Sequence, residues 1–317
     1  MLSATVGAVL LAASAAAQQG YPNRPIRMII PFATGSATDT SARFYALELS
    51  RQIGQQVIPD NRAGAGGAIG MQALVRSAPD GYTIAYAGAG PLAINRSITP
   101  NLPYDVDKEV QAISQAVSGP LFLVVSPTLP IKSVKELVAL AKAKPGQLAY
   151  GSAGAGTVGH LAGEYFKILS GTDILHVPYK GGAQAATDAM SGFVQLLFDP
   201  ATSVAPYIQT GRLRGLAVTG PARTKAFPQL PTVAEAGVPG YDVTTWGGMI
   251  APMGVPRAIV TRLSEEMQKA AKSTFVIERY APLGNDPVAS TPEEFAALIR
   301  REYTKWATVV KRRGLKL

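Results

Sequence analysis

Short apolar runs alternate with helix-like runs along almost the whole chain, and small, glycine-rich segments follow several of the apolar runs. That alternation constrains the fold most. Strands separated by helices can bury both faces of a sheet only in a layered α/β arrangement, with a mainly parallel sheet. RMIIPF (27–32) reads as a strand, and Thr38 to Ile53 as a helix with Ala42, Ala46, Leu49 and Ile53 on one face, closed by Gly54. Tyr82 to Ala87 and LFLVVS (121–126) read as strands, as do the runs starting at 148, 174, 194 and 213. Ser133 with Glu136 is a capping box opening a helix that carries Val134, Leu137, Val138 and Ala141 on one face. Thr291 with Glu294 opens the last helix, whose apolar stripe is Phe295, Ile299, Tyr303 and Trp306. A chain of 317 residues can divide such units between two lobes.

In open α/β sheets ligands bind beyond the carboxyl ends of strands, where helix N-termini present free N–H groups to anions. Five segments lie at such places: 31–39, 86–91, 150–160, 177–182 and 198–203. One contains GAGTVG (154–159), which matches the dinucleotide fingerprint. The fingerprint needs an acid at the carboxyl end of the next strand. Asp173 lies at the amino end of that strand, on the wrong edge of the sheet. Dinucleotide binding is therefore not the expected use of this loop.

Other chemistries fail by composition. The chain has no cysteine, which excludes disulfides, thiolate metal sites and thiol nucleophiles. There is no G-x-S-x-G or S-x-x-K, and the two histidines, His160 and His176, lack the spacing of a metal site. His160, in the first turn after the glycine loop, is a candidate ligand contact; His176 reads as a core or rim residue of its strand. Neither an enzymatic activity nor a cofactor is expected.

Net charge is +9, and residues 300–317 carry seven Lys/Arg and one Glu, so +6 of it sits on the last helix and tail. This suits a helix C-terminus and reads as a solvated helix end, not as a nucleic-acid face. Residues 5–17 are small and apolar, too short to span a membrane, and Ala15–Ala17 offers a cleavage site. An export signal over residues 1–17, removed near Ala17, is the expectation, although no Lys or Arg precedes the run.

Eight blocks resemble one known family: YPNRPIRMIIPFATGSATDTSAR, NRAGAGGAIG, APDGYTIAY, LPYDVDKEV, YGSAGAGTVGHLAGEYFK, HVPYKGGAQAATDAMSG, LPTVAEAGVPGYD and GVPRAIVTRL. Together, over residues 21–317, they resemble the Bug family, the TctC-like solute-binding proteins of tripartite tricarboxylate transporters. The resemblance implies a type II periplasmic binding protein fold: two α/β lobes joined by two crossing strands, with a central cleft that closes on a carboxylate. It implies crossings near Pro120–Ser126 and Val243–Ala251. Lobe I is then 21–120 plus 243–317, and lobe II 121–242.

Residue by residue, the resemblance places the first ligand loop at Phe32, Thr34, Gly35, Ser36, Ala37, Thr38 and Asp39. The family commonly has PFPPGGGTD there, and this chain has PFATGSATD. The departures alter pocket size and add hydroxyls at Thr34 and Ser36. The opposing lobe offers Gly154, Ala155, Gly156 and Thr157, with His160 nearby; its N–H groups and the Thr157 hydroxyl face an anion. Ala87, Gly88 and Ala89 line the first wall, Tyr179 lies at the rim or floor, and Asp199 ends its strand in the cleft. Trp246 reads as a core or hinge residue. The implied function is periplasmic capture of a small carboxylate, a dicarboxylate such as terephthalate or an aliphatic C4–C6 diacid, and delivery to membrane permease subunits. The receptor is expected as a monomer, with no metal and no nucleic acid. A sensor partner of a signalling system is the alternative reading, and an enzyme on the same fold a more remote one.

Overall fold

The computed structural model describes residues 20–315, so the expected signal over 1–17 lies outside the described residues. Ten strands form one curled sheet in the order β2-β1-β3-β9-β4-β7-β5-β6, with β8 and β10 also paired to β4. The first half contains β1 (Ile26–Ile30), α1 (Ala37–Ile53), β2 (Val57–Asn61), α2 (Ala68–Val75) and β3 (Thr83–Gly88). A π-helical turn, Gly90–Ile94, then leads to β4 (Val110–Val125). The second half runs α3 (Val134–Ala143), β5 (Ala149–Ser152), α4 (Val158–Ser170), β6 (Leu175–Pro178), α5 (Gly182–Ser191), β7 (Leu196–Pro200), α6 (Ala201–Gln209) and β8 (Arg214–Val218). The chain returns through β9 (Thr244–Pro252), α7 (Arg257–Ala271), α8 (Thr274–Tyr280) and β10 (Asp286–Pro287), and ends in α9 (Pro292–Arg313).

The two α/β lobes are joined through β4, a single strand of 16 residues. Its Val110–Pro120 stretch pairs with β9, and its Leu121–Val125 stretch with β7 and β8. The sheet is less parallel than the sequence suggests. Within each lobe β1 pairs parallel with β2 and β3, and β5 with β6 and β7. Every pairing made by β4 or β9 is antiparallel. A chain that leaves one lobe and later returns runs against the strands it joins, a constraint that lies between segments and not within any of them.

The helices begin where side chains satisfy their first N–H groups. Ser36 accepts from the Asp39 amide, Thr157 from His160, and Thr291 forms a complete capping box with Glu294. At α3 the box is only half made: Ser133 caps Glu136, but the Glu136 carboxylate accepts from the Lys132 amide. Each lobe has its own apolar layer, one beneath α1 and α7, the other beneath α5 and α6. A third layer runs through both lobes and includes Leu121, Phe198, Tyr241, Trp246, Phe295 and Trp306. Phe295, Ile299 and Trp306 are buried as the periodicity of α9 requires. Tyr303 is only half buried, lying beneath the Arg96 guanidinium 3.4 Å from its ring centroid.

Candidate functional site

The first loop, between β1 and α1, is drawn tight by Asp39. One oxygen of this buried carboxylate accepts from the Gly35 amide at 2.8 Å. The other accepts from Arg43 Nε and Asn61 Nδ2, each at 2.9 Å. Burial alone would raise the carboxyl, but the bonds from Arg43, Asn61 and Gly35 outweigh it and hold Asp39 below its ordinary range. Asn61 also donates to the Phe32 carbonyl. Gly35 sits at φ +81, a left-handed conformation that costs a side chain strain. Asp39 therefore shapes the loop, and its oxygens are already taken. The Ser36 hydroxyl is occupied as the cap. Free for an anion are the amides of Ala37 and Thr38, first in α1 and without intrahelical partners, and the exposed Thr34. Phe32 is half buried beside Gly67.

The second loop explains the glycines of GAGTVG. Gly154 (φ 137) and Gly156 (φ 77) turn the chain beyond β5. Gly159 lets α4 press on the sheet, because a Cβ there would clash with the Phe198 carbonyl. Gly163, one turn later, does the same against the Tyr150 ring. The third glycine of the pattern thus serves close helix–strand packing, with no nucleotide required.

This loop is also internally bonded. The Thr157 hydroxyl donates to the Gly154 carbonyl at 2.7 Å and caps α4, so it is not the anion donor the sequence suggests. The Gly156 amide donates to His160 Nδ1 at 3.1 Å. His160 therefore braces the loop from behind and withdraws one expected donor. The Ala155 amide and the first amides of α4, Val158 and Gly159, remain. The His160 ring stacks on His176 at 4.0 Å, and His176 Nε2 meets Ser152 Oγ at 2.7 Å. Burial pushes His160 down to about 4 and His176 to about 3, the latter also opposed by its neighbour. Both rings are neutral near pH 7.

Behind them lies a buried charge cluster. Glu164 accepts from Tyr150 Oη at 2.8 Å, Lys167 Nζ at 2.9 Å and Arg313 Nε at 2.7 Å. These bonds outweigh burial and keep its carboxyl below the usual range. Arg313 closes α9 onto α4, so the last helix bridges the lobes.

Other candidate residues complete the walls. Ala87 and Ala89 are buried and Gly88 is half buried, packed on the Trp246 carbonyl. Gly90 brings the first lobe against the second loop, since a side chain there would begin 3.5 Å from the Gly156 carbonyl. The Tyr179 hydroxyl donates to Asp188 at 2.8 Å, and burial followed by that acid pushes it up to about 12. Its hydroxyl is thus directed to α5. Lys180 is exposed. Trp246 is buried edge-on to Phe295 at 5.8 Å, a core position.

Asp199, at the end of β7, is 4% exposed, and its Oδ2 has no hydrogen-bond partner among the described residues. It faces Gly182, the first residue of α5, and Ser203. Thr202, beside Ser203 in the first turn of α6, has a buried hydroxyl that is likewise unpaired. Sequence reading passed over Gly182, Thr202 and Ser203; the signal was their place in the segments 177–182 and 198–203 that follow strands. A separate surface groove of about 1110 Å³, between α7 and α9, shares no residue with these loops.

Comparisons with known proteins fit this geometry. A family model described as the tripartite tricarboxylate transporter family receptor matches residues 41–315. Protein BugT of Bordetella pertussis is 38% identical over 320 residues, covering 100% of this chain and 98% of the relative. The structure of Rpa4515 from R. palustris with adipate is 34% identical with a TM-score of 0.89, covering 93% of this chain and 99% of that one. The structure of MatC from Rhodopseudomonas palustris with bound malate is 28% identical with a TM-score of 0.85, covering 92% and 100%.

Proposed function

The chain belongs to the tripartite tricarboxylate transporter receptor family, and from that membership we propose that it captures a dicarboxylate outside the cytoplasm and hands it to membrane permease subunits. The observation that carries the reading is the meeting of loops from both lobes at the carboxyl ends of their strands. The amides of Ala37 and Thr38 open α1 on one side. Those of Ala155, Val158 and Gly159 surround the start of α4 on the other, and Gly90 lies against Gly156 between them. Two helix N-termini from opposing lobes attract two carboxylates without a fixed cation. Closing the lobes desolvates these donors and strengthens each bond. No reaction on the ligand is part of this function.

Aliphatic C4–C6 diacids fit best, supported by the adipate and malate of the two structural neighbours. An aromatic diacid such as terephthalate is a secondary choice, resting on the altered Ala33–Ala37 loop alone. Thr34, Gly35 and Ser36 contact or shape the near end of the ligand. Ala87 to Ala89 form the wall, and the amides of Ala155, Val158 and Gly159 hold the far end, on a Gly154–Thr157 loop that His160 braces. The protein works in the periplasm after removal of residues 1–17, as a monomer. Among the described residues no helix is long and apolar enough to cross a membrane.

A thermal-shift screen of residues 18–317 tests the reading against adipate, malate, other C3–C6 diacids, citrate, benzoate, nicotinate, phthalate and terephthalate. A ligand at 100 times its dissociation constant adds about 2.7 kcal/mol, a clear rise in midpoint. A diacid that shifts the midpoint where its monoacid does not supports two carboxylate loops. Silence across the carboxylates with a shift by NAD would overturn the reading.

A further inference from the structure

We propose that Asp199 acts as a carboxylic acid toward the ligand, donating a hydrogen bond to the far carboxylate, so that the protein takes up one proton as it closes on a dicarboxylate. The inference rests on the receptor reading above and adds to it a residue role and a linked proton.

Three observations point to this residue. Its Oδ2 is buried and unpaired among the described residues, in a structure where the other buried carboxylate of a ligand-loop turn, Asp39, is fully bonded. It lies at the N-terminus of α5, a helix of 10 residues whose first amides have no side-chain cap. It is also at the level of the second loop. Tyr150 and Gly151 of β5 pair with Leu196 and Leu197 of β7, and Gly159 rests on the Phe198 carbonyl, one residue before Asp199. The unpaired Thr202 hydroxyl opens α6 on the other side.

Among the described residues no cation offsets the burial of an ionised Asp199. The Leu121–Val125 stretch of β4 carries no titratable group, and α6 carries only Tyr207. On α5, Asp188 is held by the Tyr179 hydroxyl, and Lys180 before the helix is exposed. The stacked His160 and His176 are uncharged above pH 5. A second carboxylate brought to an ionised acid here would be repelled, whereas a shared proton turns repulsion into a bond. Burial already pushes Asp199 up to about 7, only partly offset by the Ser203 hydroxyl. Between pH 6.5 and 8.5 adipate is fully ionised and both histidines stay neutral, so Asp199 is the group of this site that titrates.

Isothermal titration with adipate, or with whichever diacid the thermal screen selects, measures both consequences. Binding should weaken roughly twentyfold from pH 6.5 to 8.5. At pH 8, heats in phosphate and Tris buffers should differ by the ionisation heat of close to one proton taken up. The Asp199→Asn variant, which keeps an N–H donor, should bind as the wild type does at pH 6.5 and lose both the pH dependence and the proton uptake. Diacid binding with no pH dependence and no proton uptake overturns the proposal and leaves the receptor reading intact. Affinity that rises with pH also overturns it, because Asp199 is then an ionised acceptor. If no carboxylate binds at any pH, the receptor reading fails, and this proposal fails with it. The proton count on the wild-type protein decides the matter even if the variant does not fold.

Discussion

At the residue scale, the candidate site separates groups bonded within the protein from groups left unpaired. Asp39 is of the first kind. Its folded value is depressed, so its contribution is complete above the unfolded value near 4 and is lost as pH falls through the folded one. Asp39→Ala leaves the Gly35 amide without an acceptor and removes one bond each from Arg43 and Asn61, and a loss of about 2–4 kcal/mol is expected in urea unfolding at pH 7. His160 and His176 behave oppositely to salt-bridged histidines. The unfolded chain gains protons below about 6.5 that the folded one refuses down to about 4 and 3, so they cost stability as pH falls. Asp199 opposes them, because folded it keeps a proton up to about 7 that the unfolded chain releases near 4. Between pH 6.5 and 4.5 the melting midpoint of Asp199→Asn should therefore fall more steeply than that of the wild type. His160→Asn, which keeps an acceptor for the Gly156 amide, should be nearly flat. A steeper fall for His160→Asn would contradict the neutral histidine pair.

At the element scale, the closest fit in the second lobe is α4 on β5 and β7. The helix carries glycines where the sheet comes nearest, and the Phe198 carbonyl leaves no room for a Cβ on Gly159. Gly159→Ala should cost about 1–3 kcal/mol and displace the amides of Val158 and Gly159. Diacid affinity should then drop along with stability. Retained affinity in a destabilised variant would remove α4's first turn from the site. These elements were largely legible in the sequence. The helix from Thr38, the strands at 121–126 and 194–199, and the Thr291 start all rest on local periodicity and capping, which a short segment carries by itself. Two features were not legible. β2 (VIPDN) is a short edge strand with a proline, and the Val110–Pro120 part of β4 contains serines, glutamines and a glycine. Both are strands because neighbours supply their hydrogen bonds, not because their side chains favour it.

At the scale of the whole molecule, α9 ties the lobes at the end opposite its cap. Arg313 reaches Glu164 on the helix that carries the second loop, and Trp306 lies in the layer shared by both lobes. Arg313→Ala leaves Glu164 with Lys167 and Tyr150, and about 1 kcal/mol of stability should be lost, since the guanidinium is partly exposed. The larger expected effect is on closure. With one tie between α9 and α4 removed, small-angle scattering should show a larger radius of gyration without ligand, and saturating diacid should restore the wild-type value. Equal radii with and without ligand, in both proteins, would mean that lobe movement is not how this receptor holds its ligand.

The sequence by itself determined the class of fold, the family and the candidate loops at the strand ends. Each of those is written in runs of ten or twenty residues: the strand and helix periods, the capping residues, the glycines at strand ends. The direction of side chains was decided only in three dimensions. Asp39, Thr157 and His160 read as ligand groups from their positions, yet all three are consumed by bonds inside the protein, Thr157 and His160 within their own loop and Asp39 in part to Asn61, 22 residues away. Asp199 emerges as the one with an unpaired oxygen because α5 and α6 bury it and only the Ser203 hydroxyl offsets that burial. A hydrogen bond depends on where two atoms end up, and for groups joined by a folded chain that is settled by the packing of the elements between them.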